Sequence, residues 1–387
     1  MVNRADTDIV LYAVGDVGPD RANPDTIFQH VTDVLRRGDI ASCQLEVMIS
    51  HRGMVAVGPQ AGFVGLKGGT RDPQTAVAIK DAGFNVVSFA SNHCLNAGYE
   101  AFFDTIDNLR EQELYVIGVG RNIEEARRPA IIEVKGTRIA FLAYNSILQD
   151  GFWAEDNRPG CAPIRVWTLY EPLDPHQPGL PSRKTHTFPY TDDLKAIVED
   201  VKRAKAQADL VVVSMHCGIR MMPAVIAEYQ VAMAHAAIDA GADLILQHHA
   251  HMLRGIEVYS DKVIFYGLGN FAEEVNFMTK EWVQSTKGKE DIKYLNPNWN
   301  PPYPDYPSYP FPPDSRKTII AKCTINNKEI NRLSFLPAYI NNKAEPEILA
   351  PENGWFGEVV RYMEEITEDQ GLATKYTIDG DEVIVHK

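Results

Sequence analysis

The sequence predicts an α/β protein. Short apolar runs alternate with amphipathic stretches along most of the 387 residues, which is the pattern of strands alternating with helices. Apolar residues make up 45% of the chain and charged residues 23%, as in ordinary soluble globular proteins. A chain of this length buries about three quarters of its unfolded surface, so it needs neither a metal ion nor a disulfide merely to fold.

The predicted strands are short apolar runs. In chain order they cover residues 9–14, 40–45, 86–90, 115–119, 138–144, 210–214, 244–246 and 263–268. The predicted helices are amphipathic stretches, at residues 24–37, 74–82, 99–111, 192–207 and 223–240. Glycine follows two of these helices, at Gly83 and Gly241, and glycine is the usual residue just past the end of a helix. We therefore expect those two helices to end there.

Two segments break the alternation. Residues 145–190 contain Pro, Gly and Trp without periodicity, and residues 296–313 are dense in Pro and Tyr and can form neither a helix nor a central strand. We expect a core over 1–271 with an insertion loop at 145–190, a Pro/Tyr-rich loop over 272–316, and a C-terminal segment, 317–387, packed on the core or completing it. The alternative for the aromatic loop is a mobile linker to a small C-terminal piece.

Charge and cysteine usage limit the compartment and the partners. With 38 Lys and Arg against 52 Asp and Glu, the formal charge is −14, which argues against non-specific nucleic-acid binding and against docking on an anionic membrane. We find no apolar run of the roughly 18 residues that a membrane span needs, and no signal peptide. Five cysteines without a secretion signal favour reduced thiols. The sequence thus predicts a cytoplasmic protein without a membrane anchor; it leaves the oligomeric state open.

A potential metal ligand follows each of five predicted strands. In chain order these residues are Asp16, Glu46, Asn92 with His93, His216, and His249 with His251. Sites in open α/β sheets assemble at the carboxyl ends of strands, so these side chains are expected to converge. His249 and His251 would share one face of an extended segment. Carboxylates, an amide and imidazoles suit Zn, Mn or Fe ions. Any one of these residues alone is more typical of a turn or a helix cap.

Seven stretches carry these residues and others around them. They are GDVGPDR (15–21), QLE (44–46), RDP (71–73), AGFNVVSFASNH (82–93), SMHCG (214–218), AHAAIDAGADLILQHHAH (234–251) and VIFYGLGNF (263–271). In this order they resemble the bacterial poly-γ-glutamate capsule-synthesis family of CapA-type proteins, a branch of the calcineurin-like metallophosphoesterase superfamily. The resemblance implies layered sheets flanked by helices, in the order α/β/β/α. It covers residues 9–271, and we find no matching motif in the C-terminal part.

The resemblance also implies roles for the site residues. Asp16 and His251 would bind a first metal, Glu46 would bridge two metals, and Asn92, His216 and His249 would complete the second. His93 would act as general acid or stabilise a substrate oxyanion. Where phosphoesterases have Asp-x-His, this chain has Asp16-Val17-Gly18, so the first position lacks an imidazole. The expected cofactor is therefore one or two divalent ions, Mn, Zn or Fe.

Four arginines close to the motifs are candidates for binding an anionic substrate: Arg21, Arg71, Arg220 and Arg254. Guanidinium groups bind carboxylates and phosphates through two parallel hydrogen bonds. Arg21 and Arg71 stand where members of the family that the chain resembles also have arginine. The alternative for each arginine is a structural ion pair.

These residues predict a metal-dependent hydrolase, with Asp16 and His93 in its active site. It would cleave an amide or ester bond of a small carboxylate-bearing or peptide-like substrate through a metal-activated water. Phosphoester hydrolysis is disfavoured because the first metal position lacks its histidine. Two alternatives stay open. One is a metal-dependent peptide or amino-acid epimerase that abstracts an α-proton, and the other is a non-enzymatic accessory protein of poly-γ-glutamate or capsule synthesis.

Overall fold

Two mixed sheets form the centre of the protein. The computed structural model describes residues 7–52, 70–177, 179–276, 278, 280–295, 299–301 and 303–387. Its strands are β1 (Ile9–Gly18), β2 (Ile40–Leu45), β3 (Met48–Ile49), β4 (Thr70–Arg71), β5 (Val86–Ser88), β6 (Tyr115–Ile117), β7 (Val119–Gly120), β8 (Ala130–Val134), β9 (Thr137–Asn145), β10 (Gly160–Cys161), β11 (Val166–Pro172), β12 (Ser182–Pro189), β13 (Leu210–His216), β14 (Leu244–His248), β15 (Ile256–Tyr259), β16 (Lys262–Phe265), β17 (Asn270–Glu273), β18 (Lys317–Asn326), β19 (Glu329–Ile340), β20 (Pro346–Ile348), β21 (Lys375–Asp379) and β22 (Glu382–His386).

The helices connect and cover these strands. They are α1 (Thr32–Leu35), α2 (Gln74–Ala82), α3 (Gly98–Glu111), α4 (Ile123–Ala126), α5 (Thr191–Lys205), α6 (Glu228–Asp239), α7 (Lys280–Gln284), α8 (Thr286–Leu295) and α9 (Gly354–Asp369). Within the described ranges, no helix is both long and apolar enough to cross a bilayer.

Parallel strands form one side of the larger sheet and the middle of the smaller sheet. The larger sheet has the order β21-β22-β19-β18-β1-β2-β5-β6, with β17 beside β1 and β20 beside β19. The smaller sheet has the order β15-β16-β14-β13-β9-β8. Strands β1, β2, β5 and β6 run parallel to one another, and so do β9, β13, β14 and β16. Each sheet therefore presents the carboxyl ends of several strands at one edge.

Successive side chains on the strands of the smaller sheet point to opposite faces, and each face packs into a different apolar cluster. Phe141 on β9 and Val212 on β13 pack into the apolar cluster of the larger sheet. Their neighbours Leu142 and Val213 point the other way, into a second cluster that α5 and α6 complete. Because both faces are covered, these strands are apolar throughout, as buried parallel strands are. The predicted layered α/β arrangement of sheets flanked by helices is confirmed.

Several predicted elements keep their bounds, and two helices are corrected. The strand at 40–45 and the helix at 74–82 form as predicted. The helix predicted at 24–37 is instead a 3-10 turn, Pro24–Phe28, followed by the short α1, since its β-branched residues weaken a continuous helix. The helix predicted at 223–240 begins only at Glu228, because Ala224 has a left-handed φ of 48°.

The two segments predicted as irregular contain regular structure. Within 145–190, strand β10 pairs with β7 and the hairpin of β11 and β12 pairs Trp167 with Phe188, so the insertion is not a plain loop. The region 272–316 contains helices α7 and α8 as well as the Pro/Tyr-rich part, of which residues 296–298 and 302 lie outside the described residues. Trp299, Tyr309 and Phe311 are buried in a third apolar cluster. The described part of this segment therefore packs its aromatic side chains into the protein interior.

The C-terminal segment supplies strands β18 to β22 of the larger sheet. Strand β18 lies antiparallel to β1, with Ile9 opposite Ile325. Farther along the same edge, β17 lies parallel to β1. One side of β1 is thus covered in turn by two strands from the later part of the chain.

Gly15 allows the segment before β17 to lie directly against β1. Its neighbour Asp16 donates a backbone hydrogen bond of 3.0 Å to the carbonyl of Gly269. A Cβ at position 15 would lie 1.9 Å from that same carbonyl oxygen. Any side chain at position 15 would therefore push the segment before β17 away from β1.

We expect Gly15→Ala to lower the free energy of unfolding by about 2–3 kcal/mol, the usual cost of overpacking. The matched control is Gly357→Ala, in the exposed interior of α9, where a Cβ would meet no heavy atom within 4 Å and alanine favours the helix. Urea unfolding followed by circular dichroism compares the two variants. Equal stability of both would contradict the close approach of β1 and residue 269.

Candidate metal centre

The carboxyl ends of strands from both sheets bring seven polar residues together. Asp16 lies near the end of β1, Glu46 follows β2, and His216 is the last residue of β13. His249 and His251 follow β14, and Asn92 and His93 follow β5. All except the half-buried His93 are buried, with Asp16 0% and His216 1% exposed. The ligands predicted from the sequence therefore lie in the protein interior.

One group of ligands surrounds His216. Its Nδ1 lies 3.3 Å from Glu46 Oε1. Its Nε2 lies 2.8 Å from Asn92 Oδ1 and 3.1 Å from His249 Nδ1. Ligand atoms of Asp16, Glu46 and His216 all lie within 4.8 Å of one another. This group contains the residues that the resemblance assigns to the second metal.

A second group surrounds His251 and shares Asp16 with the first. His251 Nδ1 lies 3.4 Å from Asp16 Oδ2 and 3.4 Å from Glu273 Oε2. Asp16, His251 and Glu273 also bring their ligand atoms within 4.8 Å of one another. Asp16 therefore belongs to both groups.

Buried negative charges lie close together here. Burial raises the pKa of the Asp16 carboxyl well above its usual range, and the charges of Glu46 and Glu273 raise it further. Burial raises the pKa of Glu46 as well, and the charge of Glu273 adds to that shift. Burial also lowers the pKa of His216 and of His249. The protein interior thus disfavours the charged forms of four side chains, which are Asp16, Glu46, His216 and His249.

Four of the six oxygens of the Asp16, Glu46 and Glu273 carboxylates are buried and have no hydrogen-bond partner. These are both oxygens of Asp16, Oε2 of Glu46 and Oε2 of Glu273. A buried carboxylate oxygen without a donor is costly, and a divalent cation is the compact ligand that would satisfy several at once. Carboxylate and imidazole groups are ligands of Zn, Mn and Fe. The residues present therefore fit one or two divalent ions.

The backbone after β14 is held in an uncommon conformation. His249 has a φ of 78° and His251 a φ of 54°, both in the left-handed region that non-glycine residues rarely adopt. The sequence predicts that the two histidines share one face of an extended segment, and this prediction is wrong because neither residue is extended. The turn points one ring at His216 and the other at Asp16. Backbone strain of this kind costs about 1–3 kcal/mol and is typical of functional sites.

His93 lies beside the ligands and is oriented by two amides. Its Nδ1 is 2.6 Å from Asn96 Nδ2, and its Nε2 is 3.1 Å from Asn92 Nδ2. Burial lowers the pKa of His93 to about 3, and the positive charges of His251, Arg220 and Arg71 act in the same direction. The ring is therefore neutral around pH 7.

Two of the four candidate arginines are structural. Arg21 pairs with Glu274 at 3.0 Å and with Glu345 at 3.1 Å, and both carboxylates are buried. Arg254 is 1% exposed and donates to the backbone carbonyls of Val225, at 3.1 Å, and Ile219, at 2.9 Å. These donors are already used inside the protein, which favours a structural role for Arg21 and Arg254 over the predicted binding of substrate.

The other two arginines lie within electrostatic range of the ligands. Arg71 donates to the carbonyl of Pro19 at 3.0 Å, and its charge acts on His93. Arg220 is half-buried, and its charge acts on Glu46, His93 and His249. Arg71 and Arg220 stay candidates for binding an anionic substrate.

Sequence reasoning missed Glu273. It is the last residue of β17, so the rule that identified the other ligands, a polar residue at the end of a strand, applies to it as well. The predicted apolar run ended at residue 268, and the structure begins a new strand at Asn270. An acidic residue two positions after the GLGNF motif, Glu273, is the feature of the sequence that could have pointed to it.

Comparison with protein families matches residues 8–275 to the bacterial capsule synthesis protein family PGA_cap. The capsule biosynthesis protein CapA of Bacillus anthracis is 30% identical over 260 residues, which are 65% of this chain and 54% of that protein. The PGA biosynthesis protein CapA of Bacillus subtilis is 28% identical over 272 residues, 68% of this chain and 61% of that protein. The matched region thus spans little more than half the length of these relatives.

Among solved structures, the calcineurin-like phosphoesterase YfkN from Bacillus subtilis aligns over 94% of this chain and 98% of its own. Its sequence identity is 12% and its TM-score 0.38.

We expect Arg21→Ala to lower the free energy of unfolding by about 3 kcal/mol, since it leaves buried carboxylates without their partner, and to leave metal binding unchanged. Arg128→Ala is the control, because Arg128 and its partner Glu124 are both exposed and such surface pairs contribute less than about 1 kcal/mol. Urea unfolding and manganese titration measure both quantities. If Arg21→Ala leaves the free energy of unfolding unchanged but raises KM, Arg21 binds substrate instead.

Proposed function

The chain belongs to the PGA_cap family of bacterial capsule synthesis proteins, and from that premise we propose that it is a metal-dependent hydrolase. Its substrate is a small carboxylate-bearing or peptide-like molecule, cleaved at an amide or ester bond. The observation that carries the proposal is that four buried carboxylate oxygens, both of Asp16 and one each of Glu46 and Glu273, have no hydrogen-bond partner and lie in two ligand groups that share Asp16. A purely structural cluster would pair such groups with donors.

Each residue of the site has a part in binding or chemistry. Asp16, Glu46, Asn92, His216, His249 and His251 hold one or two divalent ions, Mn, Zn or Fe. The metal supplies Lewis-acid activation of a water molecule and of the scissile group. His93, kept neutral by its surroundings, donates a hydrogen bond to the negative charge that develops on the substrate. Arg71 and Arg220 bind the substrate's carboxylate.

A second candidate function is a non-enzymatic part in polymer synthesis. The names of the two Bacillus relatives describe biosynthesis proteins rather than hydrolases, and this favours a binding role in assembly of a glutamate polymer. In that case the metal shapes a binding surface, and no bond of the substrate changes.

We expect the protein purified without added metal, and without a nickel column, to contain one or two equivalents of Mn, Zn or Fe by plasma mass spectrometry. Asn92→Ala and His216→Ala should each lose metal and activity, because both residues contact the same cluster. His235→Ala is the matched control: this histidine pairs with Glu257 and stacks on Tyr259, apart from the cluster. Full activity of either site variant would refute the assignment, as would wild-type protein that neither contains metal nor is stabilised by added Mn or Zn.

We expect incubation with short α- and γ-linked glutamyl peptides in deuterated water to yield cleavage products without deuterium at Cα. Mass spectrometry and NMR read both events in one sample. Deuterium at Cα without cleavage would identify an epimerase instead of a hydrolase. Intact, unlabelled peptide in a metal-loaded sample that binds it would support the accessory role.

A further inference from the structure

We propose that Glu273 is a ligand of the first metal position and takes the place of the imidazole missing at position 18. The inference rests on the proposed metal site and adds a residue to it. The first position then has the ligands Asp16, His251 and Glu273.

The sheet register places Glu273 beside the position of the missing histidine. Strand β17 runs parallel to β1, and its last residue, Glu273, is the partner of Gly18. A Cβ at position 18 would lie 3.6 Å from Glu273 Cγ and 2.8 Å from Val47 Cγ1. A side chain at position 18 would therefore clash with Val47 and lie in van der Waals contact with Glu273. Position 18 and the side chain of Glu273 are thus direct neighbours.

The Glu273 carboxylate lies next to Asp16 and His251, and its Oε2 has no hydrogen-bond partner. Its side chain is 9% exposed, and Oε2 lies 3.4 Å from His251 Nδ1 without forming a hydrogen bond. The acceptor nearest to that nitrogen is Asn270 Oδ1, at 2.7 Å. The charge of Glu273 also acts on Asp16 and Glu46. A cation at this point would therefore offset the repulsion among the three carboxylates.

The adjacent glutamate shows what a structural role looks like at this edge. Glu274 accepts hydrogen bonds from the backbone N–H of Asp20, at 2.8 Å, and from the guanidinium group of Arg21, at 3.0 Å. Glu274 is thus fully paired, whereas Glu273 is not. Of these two consecutive carboxylates, only Glu273 faces the ligand cluster.

The inference also predicts which ion the first position prefers. The first position has two carboxylates and one imidazole, whereas the group around the second has two imidazoles, His216 and His249, beside Glu46 and Asn92. The first set of ligands is therefore the harder one. Carboxylate oxygens suit Mn better than Zn. We therefore expect the ion that depends on Glu273 to be Mn rather than Zn.

The test uses the full chain, stripped with a chelator and then titrated with manganese chloride. Equilibrium dialysis with plasma mass spectrometry should find one bound ion fewer in Glu273→Gln than in the wild type. Glu273→His, which restores an imidazole, should regain it. Without metal, Glu273→Gln should unfold at the same temperature as the wild type or higher, because one repelling charge is gone, and manganese should raise that temperature less.

The matched control is Glu274→Gln, which should keep the wild-type metal content while losing stability. Equal metal content and affinity in Glu273→Gln and the wild type would overturn the role of Glu273 and leave the proposed function standing. Wild-type protein that binds no manganese, zinc or iron would overturn both.

Discussion

The burial of three carboxylates at one point is the constraint on which the site depends. Asp16, Glu46 and Glu273 converge within the cluster, and charged groups that are removed from water without a partner are strongly destabilising. A divalent cation would resolve this conflict, with the surrounding imidazoles as further ligands. The left-handed turn at His249 and His251 is a strain that metal binding would offset.

Parallel strand order is what allows such distant residues to meet. Asp16 and Glu46 belong to the larger sheet and His216 to the smaller one, and the packing of the two sheets brings their carboxyl edges together. Closure of β1 against β17 depends on Gly15, because residue 269 lies against it. The same closure places Glu273 beside Gly18. The position of Glu273 in the cluster is thus a consequence of how one edge of β1 is covered.

The arginines separate into two pairs with different functions. Arg21 and Arg254 hold loops and strand ends in place through buried carboxylates and backbone carbonyls. Arg71 and Arg220 put positive charge next to His93, which adds to the effect of burial in keeping that ring neutral. In the proposed function, the same two charges would attract an anionic substrate although the net charge of the chain is −14.

The sequence alone was sufficient for the α/β class, for the bounds of elements such as 40–45 and 74–82, and for six candidate ligands that the structure brings together, because strand periodicity and a polar residue at a strand end are local signals. It did not separate Arg21 and Arg254 from Arg71 and Arg220, since each pairing partner lies far away in the chain, as Glu274 and Glu345 do from Arg21. It also missed Glu273. That residue joins the cluster only through the register of β17 on β1, and register is set by tertiary packing of the covered edge rather than by any local pattern.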